Sequence, residues 1–103
     1  MDSPPGRGTS ETLIHAEGSF LIVNGRGLHA RAAAKLARLA ERFESEVIAA
    51  KDDERVNAKS IMGLLLLCGH PGAALQVIAD GPDADQAVRE IGELISSGFG
   101  EAH

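Results

Sequence analysis

The sequence predicts an open-faced α+β sandwich with the element order β-α-β-β-α-β-α. Four short apolar stretches are bounded by glycine, proline or charged residues, which is typical of strands. Two further segments repeat apolar residues at helical spacing, a third follows a serine suited to capping a helix, and no low-complexity block interrupts the order. Strands and helices in this order favour a four-stranded antiparallel sheet that three helices cover on one face.

A polar segment precedes the first strand. Residues 1–15 contain prolines and glycines and are expected to form a flexible tail ahead of a single domain over residues 16–103. Leu13 and Ile14 are the apolar exception and are candidates for pairing onto a sheet edge. A short apolar run predicts the first strand over residues 17–23, and the glycines after it end that strand.

A helix and a hairpin follow the first strand. Alanine, the best helix former, fills the start of residues 30–43. Apolar residues recur there at spacings of four, three and four, which predicts one buried face formed by Ala32, Leu36, Leu39 and Phe43. Residues 46–50 and 55–58 predict the second and third strands, with a charged turn between them.

The second helix is predicted to begin after Ser60, because a serine hydroxyl can accept a hydrogen bond from a free amide of the next turn. Four consecutive leucines follow at positions 64–67, and one of them is expected to face outward. Cys68, the only cysteine, is expected to be a small buried residue of the core.

The last strand and helix complete the order. Residues 74–80 alternate apolar and polar side chains, which predicts the fourth strand. Asp83 is expected to cap the third helix, with Gln86 three residues on as in a capping box. The apolar stripe of that helix is predicted to consist of Ala84, Val88, Ile91 and Ile95.

Charge is unevenly distributed along the chain. The formal net charge is -5, yet basic residues gather on and just before the first helix, namely Arg26, Arg31, Lys35, Arg38 and Arg42. This asymmetry predicts a basic face for an acidic protein partner. The acidic balance and the absence of Trp and Tyr argue against nucleic-acid binding.

Composition also limits the compartment and the chemistry. No apolar run approaches the about 18 residues that span a bilayer, and the polar N-terminus lacks the apolar stretch of a signal peptide. We therefore expect a cytoplasmic protein without membrane insertion. One cysteine excludes an internal disulfide and a cysteine-cluster zinc site, and neither a metal nor a cofactor is expected.

A histidine at the mouth of the first helix forms the candidate site. Unpaired amides and a partial positive charge make a helix N-terminus attractive to phosphate. His29 lies at that end, and Arg31 adds a forked donor suited to phosphate oxygens. No second carboxylate or nucleophile is visible nearby in the sequence, so the site is predicted to accept a phosphoryl group without activating one. The remaining histidines are expected at the surface: His15, His70 and His103.

Two short motifs resemble the HPr family of histidine phosphocarriers. The first is Gly27-Leu28-His29-Ala30-Arg31, and the second, further along the chain, is Ala58-Lys59-Ser60-Ile61-Met62-Gly63-Leu64. The resemblance runs from Glu17 to the C-terminus, in register with the predicted elements. It implies a four-stranded antiparallel sheet with three helices. It also implies that a phosphoryl group from phosphoenolpyruvate passes through enzyme I to this protein and then to an enzyme IIA-type acceptor.

The same resemblance assigns roles to individual residues. It implies that His29 is phosphorylated at Nδ1, that Arg31 is the site arginine, and that Ser60 is the target of an HPr kinase/phosphorylase. Partners are expected to dock on an apolar and basic surface formed by Ile61, Met62, Leu65, Lys59 and Arg26. The protein is expected to be a monomeric carrier rather than an enzyme, since its partners supply catalysis.

One position departs from the family pattern. The family usually has proline directly after the site arginine, where this chain has Ala32, and the difference bears on the potential and speed of transfer. An alternative function is a regulatory binding module of the same fold that is controlled through Ser60 without a role in sugar transport. A third possibility is an unrelated α+β domain in which both motifs are coincidental.

Overall fold

The structure, a computed structural model, describes residues 14–101. The expectations for Leu13, His103 and the rest of residues 1–13 lie outside the described residues. The strands are β1 (Ile14–Leu21), β2 (Glu46–Lys51), β3 (Glu54–Asn57) and β4 (Ala74–Gly81). The helices are α1 (Ala30–Glu41), α2 (Ile61–Leu66) and α3 (Ala84–Ser96), and a 3-10 turn follows over Gly98–Gly100. None of the helices in residues 14–101 has the length and apolarity needed to cross a membrane.

The four strands form one antiparallel sheet in the order β1-β4-β2-β3. Strand β4 lies between β1 and β2 because it offers a continuous apolar face. Its residues Leu75, Val77 and Ala79 are buried, and the residues between them are more exposed. The predicted open-faced sandwich, with four antiparallel strands and three helices, is confirmed.

Strand β1 begins earlier than its apolar run predicts. Ile14 pairs with Gly81 at the sheet edge, so pairing starts inside the segment that the sequence assigned to the tail. His15, one residue on, has Nδ1 2.6 Å from Oδ1 of Asp80 and Nε2 2.7 Å from Oε2 of Glu17. The hydrogen bond with Glu17, followed by that with Asp80, raises the pKa of His15. These polar contacts lie at the start of the strand, where a hydrophobic pattern gives no signal.

The core lies between the sheet and the helices. The predicted stripe of α3 is buried. Helix α1 buries Leu36 and four of its alanines, namely Ala32, Ala33, Ala37 and Ala40, while Leu39 is only half-buried. The approach of α3 to β1 depends on Gly92. A Cβ atom there would lie 2.3 Å from Cζ of Phe20, so glycine makes room for the aromatic ring and sets the height of α3 above the sheet.

The predicted capping box of α3 is wrong. Asp83 is the N-cap residue, but its carboxylate makes no cap hydrogen bond. It instead accepts from the hydroxyl and backbone N–H of Ser45, at 2.6 and 3.0 Å, and from the backbone N–H of Glu44. The Ser45 hydroxyl is the largest cause that lowers the pKa of Asp83. Gln86 donates to Glu90. The contact across the fold therefore replaces the local cap.

The end of α2 gives one confirmed and one wrong prediction. Leu64 and Leu67 are buried, whereas Leu66 is 70% exposed and is the leucine that faces outward. Cys68 is exposed rather than buried, and its φ of 53° places it in the left-handed region. The helix has ended at that point, so the chain turns and carries the thiol away from the core.

Candidate functional site

A tight turn places His29 at the start of α1. Gly27 has a φ of 65°, and a Cβ atom there would lie 2.4 Å from the carbonyl oxygen of Gly69. Leu28 is buried and donates its backbone N–H to that same carbonyl at 2.8 Å. His29 then takes an extended conformation as the N-cap, and its carbonyl accepts from Ala33. The turn thus ties the imidazole to the loop that follows α2.

The first turn of α1 presents unpaired amides beside this imidazole. His29 makes no side-chain cap, and the backbone N–H groups of Ala30, Arg31 and Ala32 donate no hydrogen bond within residues 14–101. Ala32 is fully buried, so its amide is held in place by packing. Three free donors and the positive end of the helix therefore lie next to His29, an arrangement suited to an anion.

A carboxylate lies against the ring, contrary to the expectation that none is nearby. Nε2 of His29 is 2.5 Å from Oε2 of Glu101, and the two side chains are each 16% exposed. The other oxygen, Oε1, accepts from Nδ2 of Asn24 at 2.9 Å. The hydrogen bond from Asn24, followed by that with His29, holds the pKa of Glu101 below its usual range. Glu101 is therefore an ionised acceptor at the edge of the imidazole.

The 3-10 turn after α3 brings Glu101 to the site. Gly98, Phe99 and Gly100 all have positive φ values, of 71°, 58° and 72°, which reverse the chain within three residues. The side chain of Phe99 is fully buried, and its carbonyl accepts from Nζ of Lys35 at 2.7 Å. The turn is thereby fixed to α1, and the next residue is Glu101.

The predicted basic residues have different environments. Arg31 and Arg26 are exposed, and neither makes an ion pair or a side-chain hydrogen bond within the described part of the chain. The charge of Arg26 contributes to lowering the pKa of Glu101. Lys59 instead donates Nζ to the carbonyl of Phe43 at 2.9 Å, so its ammonium group is tied to the end of α1.

Ser60 and its neighbours form a second group of predicted residues. Ser60 is the N-cap of α2, and its hydroxyl oxygen accepts from the backbone N–H of Gly63 at 3.0 Å. Ile61 is 41% exposed and Met62 is 71% exposed, whereas Leu65 is half-buried against the core. We call the exposed side chains of Ile61, Met62 and Leu66 the apolar face of α2. Helix α2 packs against α1, so this face lies on the same side of the sheet as His29.

Comparison with known proteins identifies the family. A family model described as "PTS HPr component phosphorylation site" matches residues 16–97. The phosphocarrier protein HPr of Neisseria meningitidis serogroup A is 46% identical over 83 residues, which cover 81% of this chain and 93% of that protein. The chain belongs to the HPr family.

Other relatives agree with this assignment to the HPr family. The phosphocarrier protein NPr of Shewanella violacea is 40% identical over 90 residues, which cover 87% of this chain and 99% of that protein. The crystal structure of HPr-C-His from Thermoanaerobacter tengcongensis has a TM-score of 0.82 and 40% identity, covering 85% of this chain and 99% of its own. The resemblance drawn from the two motifs is confirmed, and the family is one of phosphocarriers of the phosphotransferase system.

Two polar residues of the site, Asn24 and Glu101, were not predicted from the sequence. Glu101 lies beyond residues 16–97, the range that matches the HPr family, and Asn24 stands outside both motifs that carry the resemblance. The glycines on either side of Phe99 were the available signal, since they predict a sharp turn after α3. A sharp turn does not reveal its direction, so the contact between Glu101 and His29 could not be predicted.

Proposed function

We propose that this protein carries a phosphoryl group on Nδ1 of His29. It receives the group from enzyme I, charged by phosphoenolpyruvate, and passes it to an enzyme IIA-type acceptor. The single observation that carries the choice of atom is the contact between Nε2 of His29 and the carboxylate of Glu101. Nε2 is engaged in the fold, whereas Nδ1 makes no hydrogen bond among residues 14–101.

The state of the ring follows from the acceptor beside it. An ionised carboxylate can only accept, so Nε2 carries the proton and the lone pair lies on Nδ1. That lone pair forms a bond to phosphorus while the bond between phosphorus and the donor breaks, and the electron pair leaves with the donor. The phosphorylated ring then carries a positive charge, and Glu101 offsets this charge through the Nε2–H hydrogen bond.

The start of α1 stabilises the charge of the phosphoryl oxygens. In phosphoryl transfer, negative charge spreads over the three equatorial oxygens, and catalysis depends mainly on positioning and electrostatics. The free amides of Ala30, Arg31 and Ala32 and the guanidinium of Arg31 are the donors that this chain offers. None of these groups activates the donor, which supports a carrier role in which partner enzymes supply the catalysis.

Docking and regulation are assigned to the surface around α2. The apolar face of α2, with Leu65, Lys59 and Arg26, is proposed to meet enzyme I and the downstream acceptor. A contiguous exposed apolar surface is more often an interaction site than the rest of a protein surface is. Ser60, at the edge of that surface, is proposed to be phosphorylated by an HPr kinase/phosphorylase.

Incubation with enzyme I and phosphoenolpyruvate tests the proposal. The intact mass should rise by one phosphoryl group, and the adduct should be lost in acid, as expected for a phosphorus–nitrogen bond. His29→Ala should abolish the adduct, whereas His70→Ala, which changes an exposed histidine in the turn after α2, should leave it intact. An adduct that persists in His29→Ala, or a wild-type protein that accepts no phosphate, would overturn the assignment.

A further inference from the structure

Asn24 is a buried polar residue that joins the two chain segments beside His29. It is 1% exposed, and its Nδ2 donates to the carbonyl oxygen of Gly27 and to Oε1 of Glu101, each at 2.9 Å. Its Oδ1 accepts no hydrogen bond from any residue in the described range. The side chain therefore uses both amide protons at the site and leaves a buried acceptor unpaired.

Stability alone does not explain this arrangement. A buried acceptor without a partner costs desolvation free energy, and an apolar side chain of the same shape avoids that cost. The carbonyl oxygen of Gly27 keeps a hydrogen-bond donor without Asn24, because it also accepts from the backbone N–H of His29 at 3.0 Å. The carboxylate of Glu101 is partly exposed, so water can solvate it if Asn24 is lost. What Asn24 adds is the fixed position of that carboxylate.

We propose that Asn24 is a positioning residue that selects Nδ1 of His29 as the phosphoryl acceptor by fixing the carboxylate of Glu101. This inference rests on the proposed function. With Oε1 held by Asn24, the second oxygen of Glu101 stays at Nε2 of His29 and accepts its proton. The lone pair then remains on Nδ1. Without Asn24 the carboxylate rotates away, and the neutral ring distributes its proton over both nitrogens.

Charge reinforces this geometry. The bond from Asn24 is the largest cause that lowers the pKa of Glu101, ahead of the bond with His29 and the charge of Arg26. Asn24 therefore helps to keep Glu101 ionised, and an ionised carboxylate has no proton to donate to the ring. Geometry and charge both disfavour the tautomer in which Nδ1 carries the proton.

Asn24→Leu separates this role from a structural one. The substitution removes both donors and the unpaired acceptor while it keeps the shape of the side chain. Nitrogen NMR of the His29 ring, in unphosphorylated protein with neutral imidazole, reports the ratio of the two tautomers. We expect the share of the Nε2–H form relative to the Nδ1–H form to fall about tenfold, as for the loss of one hydrogen bond to a charged group. The melting temperature should not fall.

If leucine prevents folding, Asn24→Ala provides a second variant, because it removes both donors and adds no charge beside Glu101. A double-mutant cycle with Glu101→Ala then tests the route. If Asn24 acts through Glu101, Asn24→Leu has no further effect on the tautomer ratio in the Glu101→Ala background. An unchanged ratio in the single variants, or an equal effect in both backgrounds, would overturn the proposal.

Phosphorylation provides a further readout that distinguishes the role proposed for Asn24 from the proposed function as a phosphocarrier. With enzyme I and phosphoenolpyruvate, phosphorus NMR should find the phosphoryl group on Nδ1 in the wild type and a larger share on Nε2 in Asn24→Leu. The nitrogen spectra require no phosphate, so they decide the role of Asn24 even if enzyme I fails to phosphorylate the wild type. That failure would instead count against the proposed function. A phosphoryl group that stays wholly on Nδ1 in a folded Asn24→Leu would count against Asn24 as the selecting residue.

Discussion

Oε2 of Glu101 lies 2.5 Å from Nε2 of His29, although the two residues are 72 positions apart in the sequence. One residue begins α1, and the other follows the 3-10 turn after α3. The protonation of the imidazole therefore depends on contacts from two distant segments of the chain. A substitution far from the motif around His29 can change its chemistry.

Glu101→Gln should slow phosphorylation of His29 by about tenfold, since the amide group of glutamine can donate to Nε2 and shift the proton to Nδ1. Rapid-quench measurement of transfer from enzyme I checks this. Glu93→Gln removes an exposed carboxylate from α3 and is the matched control. Equal rates for the two variants would mean that Glu101 does not set the state of the ring.

Arg31→Ala should slow transfer by about ten- to a hundredfold, because one charge-assisted contact to the phosphoryl oxygens is lost. The melting temperature should hardly change, since the side chain is exposed and unbonded in the described structure. Arg38→Ala, which removes a second exposed arginine from the same helix, serves as the control for net charge. If both variants slow transfer equally, the effect is long-range steering and Arg31 has no special contact.

Ala32→Pro should shorten the lifetime of the phosphohistidine by about tenfold, because proline removes one of the free amides in the first turn of α1. Ala32 is buried, so the thermal stability of the variant must be measured together with the lifetime. Acid-quenched time courses of hydrolysis provide the lifetime. An unchanged lifetime in a folded variant would show that the amide of Ala32 does not touch the phosphoryl group.

His15 should make the stability of the protein depend on pH. Its pKa is raised above 6.5, first by Glu17 and then by Asp80. A raised pKa in the folded state means that the stabilisation is fully present below pH 6.5 and is lost as the pH rises through the folded pKa. The effect should be small, because the side chain is about half exposed to solvent. Melting temperatures of the wild type and His15→Gln should therefore differ at low pH and converge at high pH.

Ser19→Ala, on the same exposed side of β1, provides the control for His15→Gln because it removes no titratable group. A difference between wild type and His15→Gln that stays constant across the pH range would mean that the two carboxylates do not stabilise the imidazolium.

Ser60→Asp should accept phosphate from enzyme I more slowly than Ser60→Ala at low salt, where charge repulsion is least screened. Aspartate keeps an acceptor for the N–H of Gly63 and adds a negative charge beside the apolar face of α2. Ser60→Ala loses only the cap, about 1 kcal/mol of stability. Equal transfer rates at low salt would make Ser60 a cap without a regulatory role.

The fold could be predicted because its signals are local. Apolar patterns, turn residues and a capping serine together predicted every strand and helix, and the hydroxyl of Ser60 caps α2 as its position in the sequence indicates. The errors lie where a distant residue competes with a local one. Asp83 binds Ser45 instead of its own helix, and β1 begins before its apolar run, where His15 contacts Asp80 of the neighbouring strand.

The site could be predicted only in part for the same reason. His29 and its free amides follow from the position of one motif at a helix start, and this part is readable in sequence. Asn24 and Glu101 belong to the site because a turn with three positive φ angles directs the chain back toward α1. Spacing along the chain carries no information about such a contact.

The ring of Phe20 against Gly92 has a bearing on phosphoryl chemistry, although it lies in the core. Only Ser97 separates α3 from the 3-10 turn, so a shift of α3 away from β1 would be passed on to the turn that precedes Glu101. One added methyl group at Gly92 would meet the ring of Phe20, so that either the ring turns aside or α3 moves from the sheet. A movement of α3 would draw the carboxylate of Glu101 away from the imidazole. The packing of an aromatic ring on a glycine in the core is thus connected, through the carboxylate of Glu101, to the tautomer of His29.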